Sequence, residues 1–292
     1  MPGYTKPTDT AHKIQVKSNL IYALWTYKSA HAGQEAGLEA KTSFVGNGAK
    51  IKVTCKNESG KKLDKVEGEV FNNKFEGKVL IPDNVKPHDM VFFEAELPKH
   101  GLKGESNLIP VKPAIKVTSL RWDRREVKRG DMVTLTCQFQ SGVEDGDEAT
   151  VVIYERNPNS CDMQVVSIPA VIKGKKVELQ WEFDYQNNTL QIPTDDEMKP
   201  YKKSYCNPEF FFVVLVDGVR IGEKRESGLM VFKDLIELEL QTESGITLPD
   251  HAVVLHYADG STKKMKTDEN GCLRIQSGPP GPVTVEIPDN PE

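Results

Sequence analysis

Six histidines and five cysteines have the strongest capacity for metal or covalent chemistry in this chain, and their spacing argues against both uses. The histidines are His12, His31, His88, His100, His251 and His256, with no HxH or HExxH pair among them. Zinc needs three or four converging ligands. His251 and His256 are five apart in a strand-like run, so they face opposite sides. All six are read as surface or edge histidines. The cysteines, Cys55, Cys137, Cys161, Cys206 and Cys272, are odd in number and form no CxxC pair. An oxidised scaffold favours an even count. Reduced, structural thiols are therefore expected, with one Cys137–Cys206 bridge as the alternative. Cys55 and Cys137 sit in alternating runs that suit packing better than nucleophilic attack.

Other chemistry finds little support. There is no GxSxG elbow, and no glycine-rich loop follows a strand and opens a helix. The acidic run Glu144-Asp145-Gly146-Asp147-Glu148 gathers oxygens of the kind calcium prefers. It lacks EF-hand spacing, and a polar turn between strands explains it equally well. No catalytic residue, cofactor or metal ligand is assigned. Trp25 and Trp122 are expected to anchor one core each. Were they exposed instead, they would suggest stacking against sugars. Trp181 shares an alternating face with Leu179 and Phe183 and reads as core.

The elements that position these residues repeat along the chain. Trp25, Gly33, Leu38 and Ala40 precede Trp122, Gly130, Leu135 and Cys137 by 97 positions each. Gly48 to Cys55 lines up with Gly146 to Ile153 after a shift of one. Phe92-Phe93 is echoed by Phe211-Phe212, and Glu105-Ser106 by Glu226-Ser227. A unit of roughly 100 residues is the usual size of a small β-sandwich. Within it, Val133, Leu135, Cys137 and Phe139 alternate on one face, as do Val177, Leu179, Trp181 and Phe183. Phe210 to Val216 is continuously apolar, the mark of a strand covered on both faces, and it ends in the hairpin signal Asp217-Gly218. No amphipathic helix of ten residues stands out. Asp195 to Lys199 before Pro200 is read as one short turn.

The expected fold class is all-β: two tandem immunoglobulin-like β-sandwiches followed by a small transthyretin-like β-domain. Residues 1–12 are read as a flexible N-terminal tail, 13–112 as the first sandwich, 113–233 as the second, and 234–292 as the small domain. The second copy carries an inserted loop, 184–207, rich in Asn, Pro, Asp and Lys. Insertions fall on surface loops that carry specialised contacts. Asp195, Asp196, Glu197, Lys199, Tyr201 and Tyr205 in that loop are candidate partner-binding residues. Asp259 and Asn270, in turns of the last segment, complete the set.

Composition narrows the partner. The 292 residues carry a net charge of −5, and no block of five basic residues gives a footprint for nucleic acid. No run approaches the ~20 apolar residues that span a membrane. The N-terminal residues lack the apolar core of a signal peptide. Synthesis in the cytoplasm is expected, with export only by a route that reads no conventional leader.

The last segment resembles the transthyretin-like modules attached to type VI secretion spikes and related contractile injection machinery. The resemblance is carried by Ile236–Leu240, Leu255-His-Tyr-Ala-Asp-Gly-Ser-Thr-Lys263, Thr267-Asp-Glu-Asn-Gly-Cys-Leu-Arg-Ile275 and Gly278-Pro-Pro-Gly-Pro-Val283. The two sandwiches are similar to the immunoglobulin-like repeats that accompany such modules. The resemblance implies a non-catalytic structural or adaptor protein whose partner is a secretion spike, baseplate, sheath or effector protein. The chain lacks a spike-forming repeat, so the resemblance does not extend to piercing. Two alternatives remain: a cell-surface or polysaccharide-binding protein, and a hydrolase whose site lies in the inserted loop.

Overall fold

The computed structural model describes residues 15–158 and 161–288. The expected tail 1–12, His12 and the first positions of the first sandwich lie outside the described residues. Strands hold 54% of the described residues and helices 5%. No helix among the described residues is long and apolar enough to cross a membrane.

The first unit contains β1 (Asn19–Trp25), β2 (Ala30–His31), β3 (Glu35–Ser43), β4 (Ala49–Asn57), β5 (Lys62–Val70), β6 (Lys74–Leu80), β7 (Met90–Leu97), β8 (Leu102–Glu105) and β9 (Ile109–Lys112). One sheet has the order β1-β3-β6; the other runs β2-β9-β7-β4-β5, with β8 beside β7. The second unit contains β10 (Lys116–Trp122), β11 (Glu126–Val127), β12 (Met132–Ser141), β13 (Glu148–Glu155), β14 (Met163–Val171), β15 (Lys176–Glu182), β16 (Glu209–Val216), β17 (Val219–Ile221) and β18 (Met230–Phe232). Its sheets run β10-β12-β15 and β11-β18-β16-β13-β14, with β17 beside β16. Strand for strand, the order of the second unit repeats that of the first. Each includes one parallel pair, β2 with β9 and β11 with β18.

The repeated residues have repeated contacts. Trp25 stands edge-on to Phe93 with ring centroids 4.9 Å apart, and Trp122 meets Phe212 at the same distance. Both tryptophans are buried, so each anchors its own core and neither presents a sugar-stacking face. The Ser106 hydroxyl accepts the Phe93 N–H at 2.9 Å, and Ser227 accepts that of Phe212 at 3.2 Å. Alternation decides the buried faces: Val133, Leu135, Cys137 and Phe139 are all inside. On β16, Phe210, Phe212, Val214 and Val216 join the main core. Phe211 and Val213 face the other way into a smaller cluster with Val152, so this strand is indeed covered on both sides.

The C-terminal segment forms β19 (Asp234–Glu239), β20 (Ala252–His256), β21 (Thr262–Lys266), β22 (Cys272–Gly278) and β23 (Thr284–Glu286). The pair β19-β22 faces the sheet β21-β20-β23 around Leu240, Val253, Leu255, Tyr257, Leu273 and Ile275. A core of this size is marginal alone, which makes its attachment to the second unit important.

The first two units meet around His31. His31 sits on the edge strand β2, yet it is 1% exposed. Its reading as a surface or edge histidine is corrected accordingly: the second unit packs over that edge and excludes water. Its Nε2 lies 3.1 Å from Asp217 Oδ2 and its Nδ1 lies 3.0 Å from the Pro113 carbonyl. Ser29 donates to the same Asp217 oxygen at 2.6 Å. Asp217 and Gly218 form the tight turn between β16 and β17, with φ of +48° and +79°. A Cβ on Gly218 would lie 2.4 Å from the Tyr27 ring, so glycine lets the first unit approach this closely. Gln34 grips the connecting backbone, accepting from Ile115 N at 3.0 Å. Lys112 bonds both Asp147 oxygens, at 2.7 and 2.8 Å. The acidic run is thus part of this seam, and Asp147 also accepts the Glu144 N–H within its own turn.

All five cysteines are free thiols. The alternative Cys137–Cys206 bridge is absent, because Cys137 is buried in β12 while Cys206 is exposed near the end of the inserted loop. Burial raises the Cys137 thiol to about 12. Burial, helped by Asp64, does the same for Cys55.

Candidate functional site

The inserted loop is ordered by its own sequence. Asn188 accepts the Leu190 N–H, closing a 3-10 turn. Thr194 and Glu197 form a reciprocal capping box that opens α1 (Asp195–Met198). Pro200 then allows only one further 3-10 turn, Lys199–Tyr201. Lys199 bonds Asp196 at 2.6 Å and approaches Asp195 at 3.5 Å. The short turn expected from the sequence is this helix.

The loop is fastened to the C-terminal unit. The Asp195 N–H donates to the Ala258 carbonyl at 2.7 Å, and the Asp195 carboxylate accepts the Tyr205 N–H at 3.1 Å. The Tyr205 hydroxyl donates to the Pro280 carbonyl at 2.6 Å. Burial, then the charge of Asp259, pushes the Tyr205 phenol up, so it stays a donor. Asp259 turns its own loop by accepting from Ser261. Of the eight residues named from sequence, Asp195, Tyr205 and Asp259 therefore meet at one internal seam. Asp196, Glu197, Lys199 and Tyr201 face solvent, with Tyr201 74% exposed. Asn270 is exposed on a separate turn, its N–H bonded to Asp268.

Beneath the loop lie two adjoining grooves of about 380 and 360 Å³. They share Glu155, Met163, Tyr185 and Asn187. They lie along the β14 side of the second sandwich. β5 and β6 lie side by side, whereas the equivalent β14 and β15 barely touch. Trp181 lies in that gap, tilted against Trp122 with ring centroids 6.3 Å apart, and lines a groove. It is therefore a partly exposed core residue.

The electrostatics of the grooves suit binding. Glu155 is half-buried, and burial raises its carboxyl above the usual range. The adjacent Arg156 is taken up by Glu209. No ion pair among the described residues reaches Glu155, Glu182 or Asp184. Burial, and then Glu209, raises the Cys206 thiol against the opposing pull of Arg156, so it is held in the protonated form. No histidine lines either groove. Among the groove amides, Asn188 is engaged in shaping the loop, where it caps Leu190.

The most distinctive feature, missed in reading the sequence, is the edge itself. β5 carries Lys62, Asp64, Lys65, Glu67 and Glu69, whereas its equivalent β14, Met163 to Val171, carries no charge. Charged edge strands resist pairing with other chains, and uncharged ones invite it. Aligning the two repeats through these strands would have exposed the contrast.

No protein-family model matches the chain, and neither does any curated protein. Among solved structures, a tetra-tandem repeat from the extending region of a large adhesion protein is 11% identical, covering 92% of this chain and 72% of that one at a TM-score of 0.27. The D0–D1 domain of intimin is 12% identical, covering 70% and 92% at 0.27. An Escherichia coli alpha-2-macroglobulin is 10% identical, and this chain spans only 22% of it, at 0.28. Scores this low fix neither topology nor function, which rest on the strand order and the geometry above.

Proposed function

We propose that the chain is a non-catalytic adaptor, built from two immunoglobulin-like sandwiches and a transthyretin-like module, that presents a binding surface to a protein partner. The observation that carries this reading is the pair of polar seams. His31, Asp217, Lys112 and Asp147 join the first two units, and Asp195, Tyr205 and Pro280 join the inserted loop to the last. Buried hydrogen bonds at both junctions favour a fixed spacing between surfaces, which suits a scaffold. In this reading, Asp195, Tyr205 and Asp259 hold the presenting loop, and Asp196, Glu197, Lys199, Tyr201 and Asn270 contact the partner. The protonated Cys206 and the histidine-free grooves support binding over hydrolysis. The burial of Trp25 and Trp122 favours a protein partner over a polysaccharide.

The partner class follows from the resemblance of the last segment to spike-associated modules: a component or cargo of a contractile secretion or injection machine. Tagged full-length chain is used as bait in cells that carry its native gene cluster. Recovery of a spike, baseplate, sheath or effector protein supports the proposal. Recovery of no such component contradicts it.

A further inference from the structure

We infer that β14 is a strand-addition site that receives an extended segment of a partner protein bearing a lysine or arginine. The inference rests on the adaptor reading and specifies its binding surface. β14 is hydrogen-bonded on one side only, to β13, and ends its sheet. From Met163 to Val171 its other side makes no backbone hydrogen bond within the described residues. Edge backbone groups of this kind recruit an incoming strand. Pro169 lacks an N–H, which weakens the far half of the edge. The usable half, Met163 to Ile168, runs beside the grooves and spans ~20 Å of extended chain, with a bulge at Val165 where the register with β13 shifts between Ile153 and Tyr154.

Side chains alternate along a strand. Inward-facing residues of the incoming segment would cover the gap between β14 and β15, where Trp181 and Val166 are only partly buried. Met163 and Val165, 49% and 39% exposed, offer apolar contacts that a soluble edge strand otherwise avoids. Charge selects the occupant. Glu155, Glu182 and Asp184 line the grooves without cationic partners, and a basic side chain supplies one. A second copy pairing edge to edge would add another β14, which brings no cation at all.

The test uses the full chain and a display library of random nine-residue peptides. Enriched peptides are synthesised, and their affinities are measured by fluorescence anisotropy against the parent chain, Val165→Lys and Glu155→Gln. The inference expects enriched sequences that alternate apolar residues with at least one lysine or arginine. Val165→Lys should weaken binding at least tenfold. Glu155→Gln should weaken the basic peptides about tenfold, while leaving peptides with that residue changed to glutamine unaffected. Val165 is exposed, so an unchanged thermal midpoint will show that its substitution leaves the fold intact. Absence of enrichment, selection of acidic peptides, or full affinity in Val165→Lys would overturn the inference. So would a dimer by light scattering that Val165→Lys dissociates, since the edge would then belong to a second copy. Partner recovery unaffected by Val165→Lys would remove the edge site and leave the adaptor reading standing. Peptide binding without recovery of any machine component would do the reverse.

Discussion

His31 Nε2 lies 3.1 Å from Asp217 Oδ2, although 186 positions separate them in sequence and they belong to different sandwiches. The other ring nitrogen meets the Pro113 carbonyl. Both partners are oxygen acceptors, so both hydrogen bonds form when each nitrogen carries a proton. Burial alone would raise the Asp217 carboxyl. The bonds from His31 and Ser29, with the charges of His31 and Lys112, outweigh it and hold the group below its usual range. A carboxyl depressed in the folded state stabilises the fold above its unfolded value, about 3.9, and loses that contribution as pH falls toward the folded value. Asp217→Asn keeps a residue tolerant of positive φ. It should destabilise the chain by about 1–3 kcal/mol at pH 7, with the difference from the parent narrowing below about pH 4. Denaturant titrations of both proteins from pH 7 down to pH 2.5 check this; a difference independent of pH would contradict it.

The duplicated serines should prove energetically equivalent. Ser106→Ala and Ser227→Ala each leave a buried phenylalanine N–H without its acceptor. Each should cost about 1–2 kcal/mol, while the aromatic pairs Trp25–Phe93 and Trp122–Phe212 stay in place. Chemical denaturation followed by tryptophan fluorescence reads both. A neutral effect at one site and a full effect at the other would deny the functional equivalence of the copies.

Tyr205→Phe tests the seam of the inserted loop. It removes one hydroxyl and its bond to Pro280. The expected cost is about 1 kcal/mol, confined to that junction. Hydrogen exchange should speed up at the Asp195 amide, which bonds Ala258 across the same seam, and at the Tyr205 amide, which bonds Asp195 beside it. Unchanged protection there would show that the loop is held by other contacts.

Thiol reactivity should follow burial. Native protein should react with a disulfide reagent first at exposed Cys161. Cys206, whose thiol is raised by burial and Glu209, should follow more slowly. Cys55 and Cys137, both at about 12, should react only on unfolding. Mass spectrometry of the modified peptides gives the order, and the denatured, unreduced chain should show five free thiols. A Cys137–Cys206 peptide pair would contradict the structure.

Period-two alternation made the strands legible because it follows from which side of a sheet is dry, and β12 and β16 behave as their patterns require. The duplication was legible because a shared strand order preserves Trp, Phe, Ser and turn Gly at fixed offsets. The seams were not. His31 lies in a short stretch, Ser29 to Gly33, with no hydrophobic pattern to mark burial, and its burial comes from a unit that begins some eighty residues later. Asp195 and Tyr205 have the composition of a free surface loop, yet the Asp195 backbone N–H and the Tyr205 hydroxyl bond the C-terminal unit. The open edge at β14 was present in the sequence as nine consecutive uncharged residues. It acquires meaning only when β5 is recognised as its equivalent.

The central claim is that the three units form one body of fixed geometry. Nitroxide labels on Lys50→Cys and Lys264→Cys, with Cys161, Cys206 and Cys272 replaced by serine, report the distance between the first and last units by pulsed electron paramagnetic resonance. A single narrow distance distribution is expected, broadening when Asp217→Asn and Tyr205→Phe are introduced together. A broad distribution in the parent chain, unchanged by those substitutions, would contradict it.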